Sequence, residues 1–334
     1  MNARRTTLPA AAAGLLLLLA ACGDPGSGGG TADPTTGGDT DAAVCEPVAG
    51  DQLVVLEDDE GLQNADNVIP AVNAEAATAD PALIPLLDSV SEALDTEKLI
   101  QLNKAVDIDR QTSSEAAATF VEDEGLAAAD ATAGSGKSVV IGAANFSESA
   151  TLSEIYAAVL RSAGYTAEVQ TIGNRETYLP ALQSGQITLT PEYAATLAEF
   201  LNTSTNGADA DPVASSDPDA TVEALTVLGV EAGLSFGAVS AAQDQNAFAV
   251  TSGFAEEHDV TTLSDLAAAC GGGVVLAGPA ECPERPFCQI GLEDTYGITV
   301  SEFRSYDFGL IGDAVRQGEA AIGLVLSSDG SLAS

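Results

Sequence analysis

Few residues in this chain are equipped for covalent chemistry. The only histidine, His258, sits in the charged run Glu256-Glu257-His258-Asp259, so a Ser/His/Asp relay has no base to build on. Carboxylates abound, but no pair stands out as a hydrolytic acid and base, and the chain reads as a binder and not an enzyme. The cysteines number 5. Cys22 closes an apolar run, while Cys45, Cys270, Cys282 and Cys288 suit disulfides in an oxidising compartment. Three pairings of those four are possible. Cys282 and Cys288 bracket only Pro-Glu-Arg-Pro-Phe, so a small loop between them is favoured, which leaves Cys45 for Cys270. Neither the spacing nor the lone histidine fits zinc, and no metal or cofactor is expected. Tryptophan is absent and aromatics make up 4% of the residues. Each aromatic face therefore counts, because such faces are what hold organic cations.

The first residues carry an export signal. Arg4 and Arg5 precede an apolar core over 10–21, the length of a signal-peptide core and short of the roughly 20 residues of a membrane span. Leu19-Ala20-Ala21-Cys22 resembles a bacterial lipobox, which implies removal of residues 1–21 and acylation of Cys22. Residues 22–44 are dominated by Gly, Ser, Thr, Asp and Pro and read as a flexible, lipid-anchored spacer. The expected location is the extracytoplasmic face of the cell membrane. With 50 acidic against 11 basic residues the net charge is -39. That charge repels nucleic acid and attracts cationic solutes.

Alternating patterns organise the remainder. Val139–Gly142 reads as a buried strand. The following helix has Leu152, Ile155, Tyr156 and Leu160 at helical spacing and stops at Gly164. Thr166–Ile172 is a second strand, Thr177–Gln183 a helix, and Ile187–Thr190 a third strand, an α/β order with helices covering a sheet. Ala247–Val250 and Val274–Leu276 read as strands of a second region. Before it, Leu53–Leu56 reads as a strand and Pro81–Leu94 as a helix. Residues 130–137 form a link. Its Gly134-Ser135-Gly136-Lys137 lacks phosphate-loop spacing and precedes a strand instead of following one.

Several segments together resemble one family. Ile141-Gly142-Ala143-Ala144-Asn145-Phe146-Ser147, Pro191-Glu192-Tyr193-Ala194-Ala195-Thr196, Glu281-Cys282-Pro283-Glu284-Arg285-Pro286 and Ser327-Ser328-Asp329-Gly330 are similar to the substrate-binding proteins of glycine betaine/carnitine/choline ABC importers. The resemblance implies a two-lobed periplasmic-binding-protein fold of type II. It also implies a circular permutation. Segments resembling the family's C-terminal third, Leu53–Asp59, Asn67–Pro70 and Leu102–Asp107, come first here. The implied layout places 45–129 and 138–245 in lobe I, 246–326 in lobe II, and 327–334 as a crossover and tail. A single covalent crossing is then expected near 240–247, with a Cys45–Cys270 bond restoring the lost tether.

The resemblance further implies a ligand site. Tyr193 and Phe248 would be aromatic walls, and Arg285 would hold a ligand carboxylate. Asn145, Phe146, Ser147, Thr196, Asn246 and Ser328 would complete it. Three positions depart from the pattern. Asp66 and Leu326 stand where aromatics are expected, and Ala144 stands where a base is expected. Asp66 would give a cation a full counter-charge, and Phe303 or Tyr306 would be needed to refill a wall. The implied partners are a small cationic or zwitterionic solute and an ABC permease, the protein itself being a monomer. An amine or guanidinium solute, or a sensory or structural role with a degenerate cleft, stands as the alternative.

Overall fold

The computed structural model describes residues 44–207 and 209–333. The expected signal peptide, Cys22 and nearly all of the expected spacer lie outside the described residues. Among the described residues no helix is long and apolar enough to cross a membrane. The strands are β1 (Val44–Cys45), β2 (Leu53–Leu56), β3 (Val68–Asn73), β4 (Ser138–Ala144), β5 (Thr166–Gly173), β6 (Leu189–Tyr193), β7 (Leu234–Phe236), β8 (Asn246–Thr251), β9 (Gly273–Gly278), β10 (Val300–Ser305) and β11 (Ile322–Leu326).

They form two sheets, one per lobe. The first has the order β5-β4-β6-β3-β7, with β4 parallel to β5 and β6, and β3 antiparallel to β6 and β7. Alternate residues of β3 feed opposite cores, as a period of two requires. Val68 and Val72 join Leu87, Leu99, Phe120, Leu152 and Tyr156 on one side. Ile69 and Ala71 join Leu182, Leu197 and Leu225 on the other. Both faces are covered, which is why these strands read as apolar runs. The helix Ser147–Ser162 ends where Gly164 takes φ 91°, a left-handed value that favours glycine.

The second sheet has the order β1-β9-β11-β8-β2, with β10 also on β9. Phe248, Val250, Val274 and Leu276 enter one core, and Ala247, Ala249, Val275 and Ala277 enter the other. Each fully buried Leu or Phe contributes about 1.5–3 kcal/mol.

This topology corrects the expected layout. Strand β2 lies antiparallel to β8, from Leu53 opposite Thr251 to Leu56 opposite Phe248, and β1 lies parallel to β9. Residues 44–56 therefore belong to lobe II, because Leu53 and Leu56 are buried in its two cores. Two covalent crossings follow, 57–67 and 237–245, instead of one. They run side by side: Asn67 bridges Gln243, the Val68 N–H donates to the Ala242 carbonyl at 2.9 Å, and the Asp244 N–H to the Asp66 carbonyl at 3.1 Å.

Both favoured disulfides are present, Cys45–Cys270 and Cys282–Cys288. The first is no tether between lobes. Cys45 pairs with Val274 in the sheet that Cys270 precedes, so the bond staples β1 to its own lobe.

The link at 130–137 is folded into lobe I. The Gly134 N–H donates to the Ala163 carbonyl at 2.8 Å, and Lys137 reaches Asp80 at 2.8 Å over the Tyr165 ring. Gly134 faces that buried ring so closely that a Cβ would overlap it. Gly134→Ala is expected to cost about 1–3 kcal/mol by overpacking, read by urea denaturation. A loss below about 0.5 kcal/mol would show that the link yields freely.

Candidate ligand site between the lobes

A cavity of about 640 Å³ lies between the lobes. The first sheet aims three segments at it from the C-terminal ends of its parallel strands, where open α/β sheets hold ligands. Asn145 and Phe146 follow β4, Arg175 opens the helix after β5, and Tyr193 ends β6. Asp66, Asp244 and Gln245 come from the crossings, and Asn246, Phe287 and Leu326 from the second lobe.

The Phe146 and Tyr193 rings stand 6.2 Å apart and tilted by 31°. Behind them lies a chain of acids. The Tyr193 hydroxyl donates to Glu148, whose other oxygen accepts from Asn103. The Ser328 hydroxyl donates to Asp244 at 2.9 Å, and Asn103 also donates to the Ser328 carbonyl at 2.8 Å. Burial pushes the Glu148 carboxyl up, outweighing its hydrogen bonds. Burial and the Glu148 charge push Asp244 up to about 8. Asp66 accepts from the Thr196 N–H at 3.0 Å, and burial raises it to about 6 against the pull of that bond and of Arg175.

Arg175 is already engaged. Its Nε and Nη2 donate to the fully buried Glu192 at 3.2 and 2.7 Å, and Nη2 also donates to the Thr196 hydroxyl at 2.9 Å. The Tyr178 hydroxyl donates to the same carboxylate at 2.8 Å. Burial works against the guanidinium's charge, but Glu192 outweighs it and holds Arg175 cationic. Among the described residues no group accepts from its Nη1.

Such a cleft, aromatic on one side and acidic at its base, is suited to holding a small organic cation. A model of the substrate-binding domain of ABC-type glycine betaine transport systems matches residues 44–123 and 137–334. The chain belongs to this family. It is a family of binding domains, so the protein is a substrate-binding domain and not a catalyst, with the two-lobed α/β architecture of periplasmic binding proteins. Among solved structures, a glycine betaine/carnitine/choline ABC transporter protein is 20% identical over 59% of this chain and 70% of its own, with a TM-score of 0.46. Apo YehZ from Escherichia coli is 22% identical over 58% and 71%, with a TM-score of 0.45. No curated protein sequence matches significantly.

Against the site that the family resemblance implied, Asn145, Phe146, Asp66, Tyr193, Thr196 and Asn246 meet at the cavity, as do Ala144 and Leu326. Four residues do not line it. Phe248 is 1% exposed, because β8 is an interior strand covered on both faces, and its ring packs in the lobe II core. Ser147 donates its hydroxyl to Asp107 at 3.1 Å. Ser328 is buried behind Asp244, on which its hydroxyl is spent. Arg285 is exposed on the cysteine loop, which turns Phe287 to the cavity instead. Phe303 packs against the lobe II core and the Tyr306 hydroxyl is tied to Glu319, so neither refills a wall. Tyr178 and Phe287 are the added aromatics, and Arg175 the cation that sequence reasoning missed. Arg175 follows the strand Thr166–Gly173 in a position where loop–helix junctions face a ligand, the one signal that pointed to it.

Proposed function

We propose that this family member is the extracytoplasmic solute-binding protein of an ABC importer. It captures a quaternary ammonium solute of the glycine betaine, choline or carnitine type in the interlobe cleft and delivers it to a membrane permease. The observation that carries this reading is the cleft itself. Phe146 and Tyr193 present faces to a cation, with Asp66 and Asp244 supplying counter-charge. The open Nη1 of Arg175 suits the carboxylate of a zwitterion. A second reading, a primary amine or guanidinium, is favoured by Asp66, a carboxylate at the cavity that an N–H donor could bond directly, whereas a quaternary nitrogen has no N–H to offer.

Two features fit the setting. Acylation of Cys22 would hold a monomeric receptor at the membrane, with residues 22–44 as the spacer. Circular permutation accounts for the order of the family segments. It is supported by the two matched stretches, which leave out 124–136 around the folded link. It is also supported by Arg316, which donates to the Asp51 carbonyl at 3.0 Å and the Ser331 carbonyl at 2.7 Å and so holds the segments before β2 and after β11 side by side, as a cut between neighbouring segments would leave them.

Titration calorimetry against glycine betaine, choline, carnitine, a primary amine and guanidinium tests the proposal. At least one is expected to bind. Tyr193→Ala should weaken it about tenfold, the worth of a desolvated cation–π contact, and Tyr193→Phe should weaken it less. A wild-type protein inert to the whole panel would remove the reading.

A further inference from the structure

Two large apolar side chains at the cavity are left conspicuously open, and they come from opposite lobes. Phe146 and Phe287 are each 43% exposed. Phe146 already has a partner ring in Tyr193. Phe287 has none among the described residues, whereas Phe248 and Phe254 of the same lobe are buried in its core.

The backbone of Phe287 is held with unusual care for a surface residue. The Cys282–Cys288 bond closes the loop one residue after it. The Cys288 N–H donates to the Arg285 carbonyl at 3.1 Å, giving a tight turn that carries Phe287. The Gln63 side chain, 5% exposed and part of the first crossing, donates to the Phe287 carbonyl at 3.1 Å. Leu62 lies against Gly291 so closely that a Cβ there would overlap it. The loop is thus fixed at its base by a covalent bond and on its flank by the hinge, while only the ring projects to the cavity. Ordering a loop in this way removes the entropy that a mobile aromatic would lose on gripping a ligand.

We propose that Phe287 is the ligand-binding wall contributed by lobe II, and that the Cys282–Cys288 bond sets it in place. This rests on the reading of the cleft as a receptor for an organic cation. When the lobes approach, Phe287 supplies the aromatic face opposite Phe146 and Tyr193. The cation then sits between faces from both lobes, above the carboxylates of Asp66 and Asp244. The disulfide is remote from the ligand and acts through the position of the ring.

Choline and glycine betaine are the probes. Phe287→Ala and Phe287→Leu are both expected to weaken whichever binds by about five- to tenfold, because leucine restores area but not a π face, while Phe287→Tyr should retain affinity. The chain contains no tryptophan, so Phe287→Trp creates a single reporter whose emission should change on adding the probe. Cys282→Ser/Cys288→Ser should weaken binding in the wild-type background and add little on top of Phe287→Ala, the non-additivity expected when one residue acts through another. Phe287→Ala binding as tightly as wild type, or Phe287→Leu retaining full affinity, would overturn the wall. Additive losses would overturn the role of the disulfide. Wild-type protein that binds neither probe, nor any other cation of the panel, would overturn the cation-receptor reading and this inference with it.

Discussion

Affinity for a cationic ligand is expected to rise with pH up to about 8 and to level off above it, the rise being steepest below about 6, where both Asp66 and Asp244, raised to about 6 and about 8 in the unliganded protein, must give up a proton. Below those values the carboxyls are protonated, and an arriving cation must displace protons to gain its counter-charge. Each proton displaced makes affinity fall by up to ~10-fold per pH unit on the acid side. The groups facing this site are Glu148, which raises Asp244, Arg175, which pulls Asp66 down, and the Tyr193 hydroxyl on Glu148. Calorimetry in two buffers of different ionisation heat counts the protons released. Asp244→Asn should flatten the upper part of the profile and Asp66→Asn the lower. A wild-type affinity unchanged across this range would refute the linkage.

The same shifts set the stability of the empty protein, with the opposite slope. A carboxyl whose value is raised on folding binds its proton more tightly in the folded state. Its stabilising contribution is present at low pH and is lost as pH rises through the folded value. The unliganded protein should therefore lose thermal stability from this source from about pH 4, the ordinary carboxylate value, up to about 8, with both groups contributing to the loss only below about 6, and a bound cation should restore most at the upper end.

Arg175→Met is expected to destabilise the protein by about 3–5 kcal/mol, because it strands a carboxylate that the fold has buried completely. Glu192 is 0% exposed, and its oxygens accept from Arg175 and Tyr178. The pair's net worth is a different quantity, since desolvation offsets much of the attraction. The double variant Arg175→Met/Glu192→Gln should accordingly recover most of the loss. Urea denaturation of both singles and the double closes the cycle. A single Arg175→Met within about 1 kcal/mol of wild type would mean that water or another donor serves Glu192.

The sequence revealed the lobe I elements well where burial leaves a periodic trace. The helix Ser147–Ser162 carries Leu152, Ile155, Tyr156 and Leu160 to one core, and Gly164 marks its end. Strand β6 is displaced from the expected Ile187–Thr190, because it runs on through Pro191, a residue that argues against strand. The structure accommodates it by placing Pro70 opposite Pro191 in the neighbouring strand. Phe248 shows a different limit. Every residue of β8 after Asn246 is buried, so no alternation told which face met the cleft. Of the site residues, Asp66 and Tyr193 were legible only through the family resemblance, and Arg175 was missed. Asp66, Arg175, Tyr193 and Asp244 are far apart in the chain, and only the sheet order and the paired crossings bring them to one cavity. Phe287 lies in a loop the sequence singled out, but Arg285 drew attention there because its charge suits a carboxylate.

The placement of β1 and β2 has a consequence for how the protein is made. Lobe I draws its strands from one stretch, β3 to β7, so its sheet can form as soon as residue 236 is available. Lobe II cannot. Its first strands are synthesised at the outset, yet Leu53–Leu56 has no partner until β8 arrives, and Cys45 has none until Cys270. Closing such distant pairs is slow, and an unpaired apolar strand is prone to aggregate while it waits. The acidic run Glu57–Glu60 directly after β2 is well placed as a gatekeeper through that interval. The earliest strands to emerge thus wait longest for their partners, and the Cys45–Cys270 bond cannot close until some 225 further residues have been made.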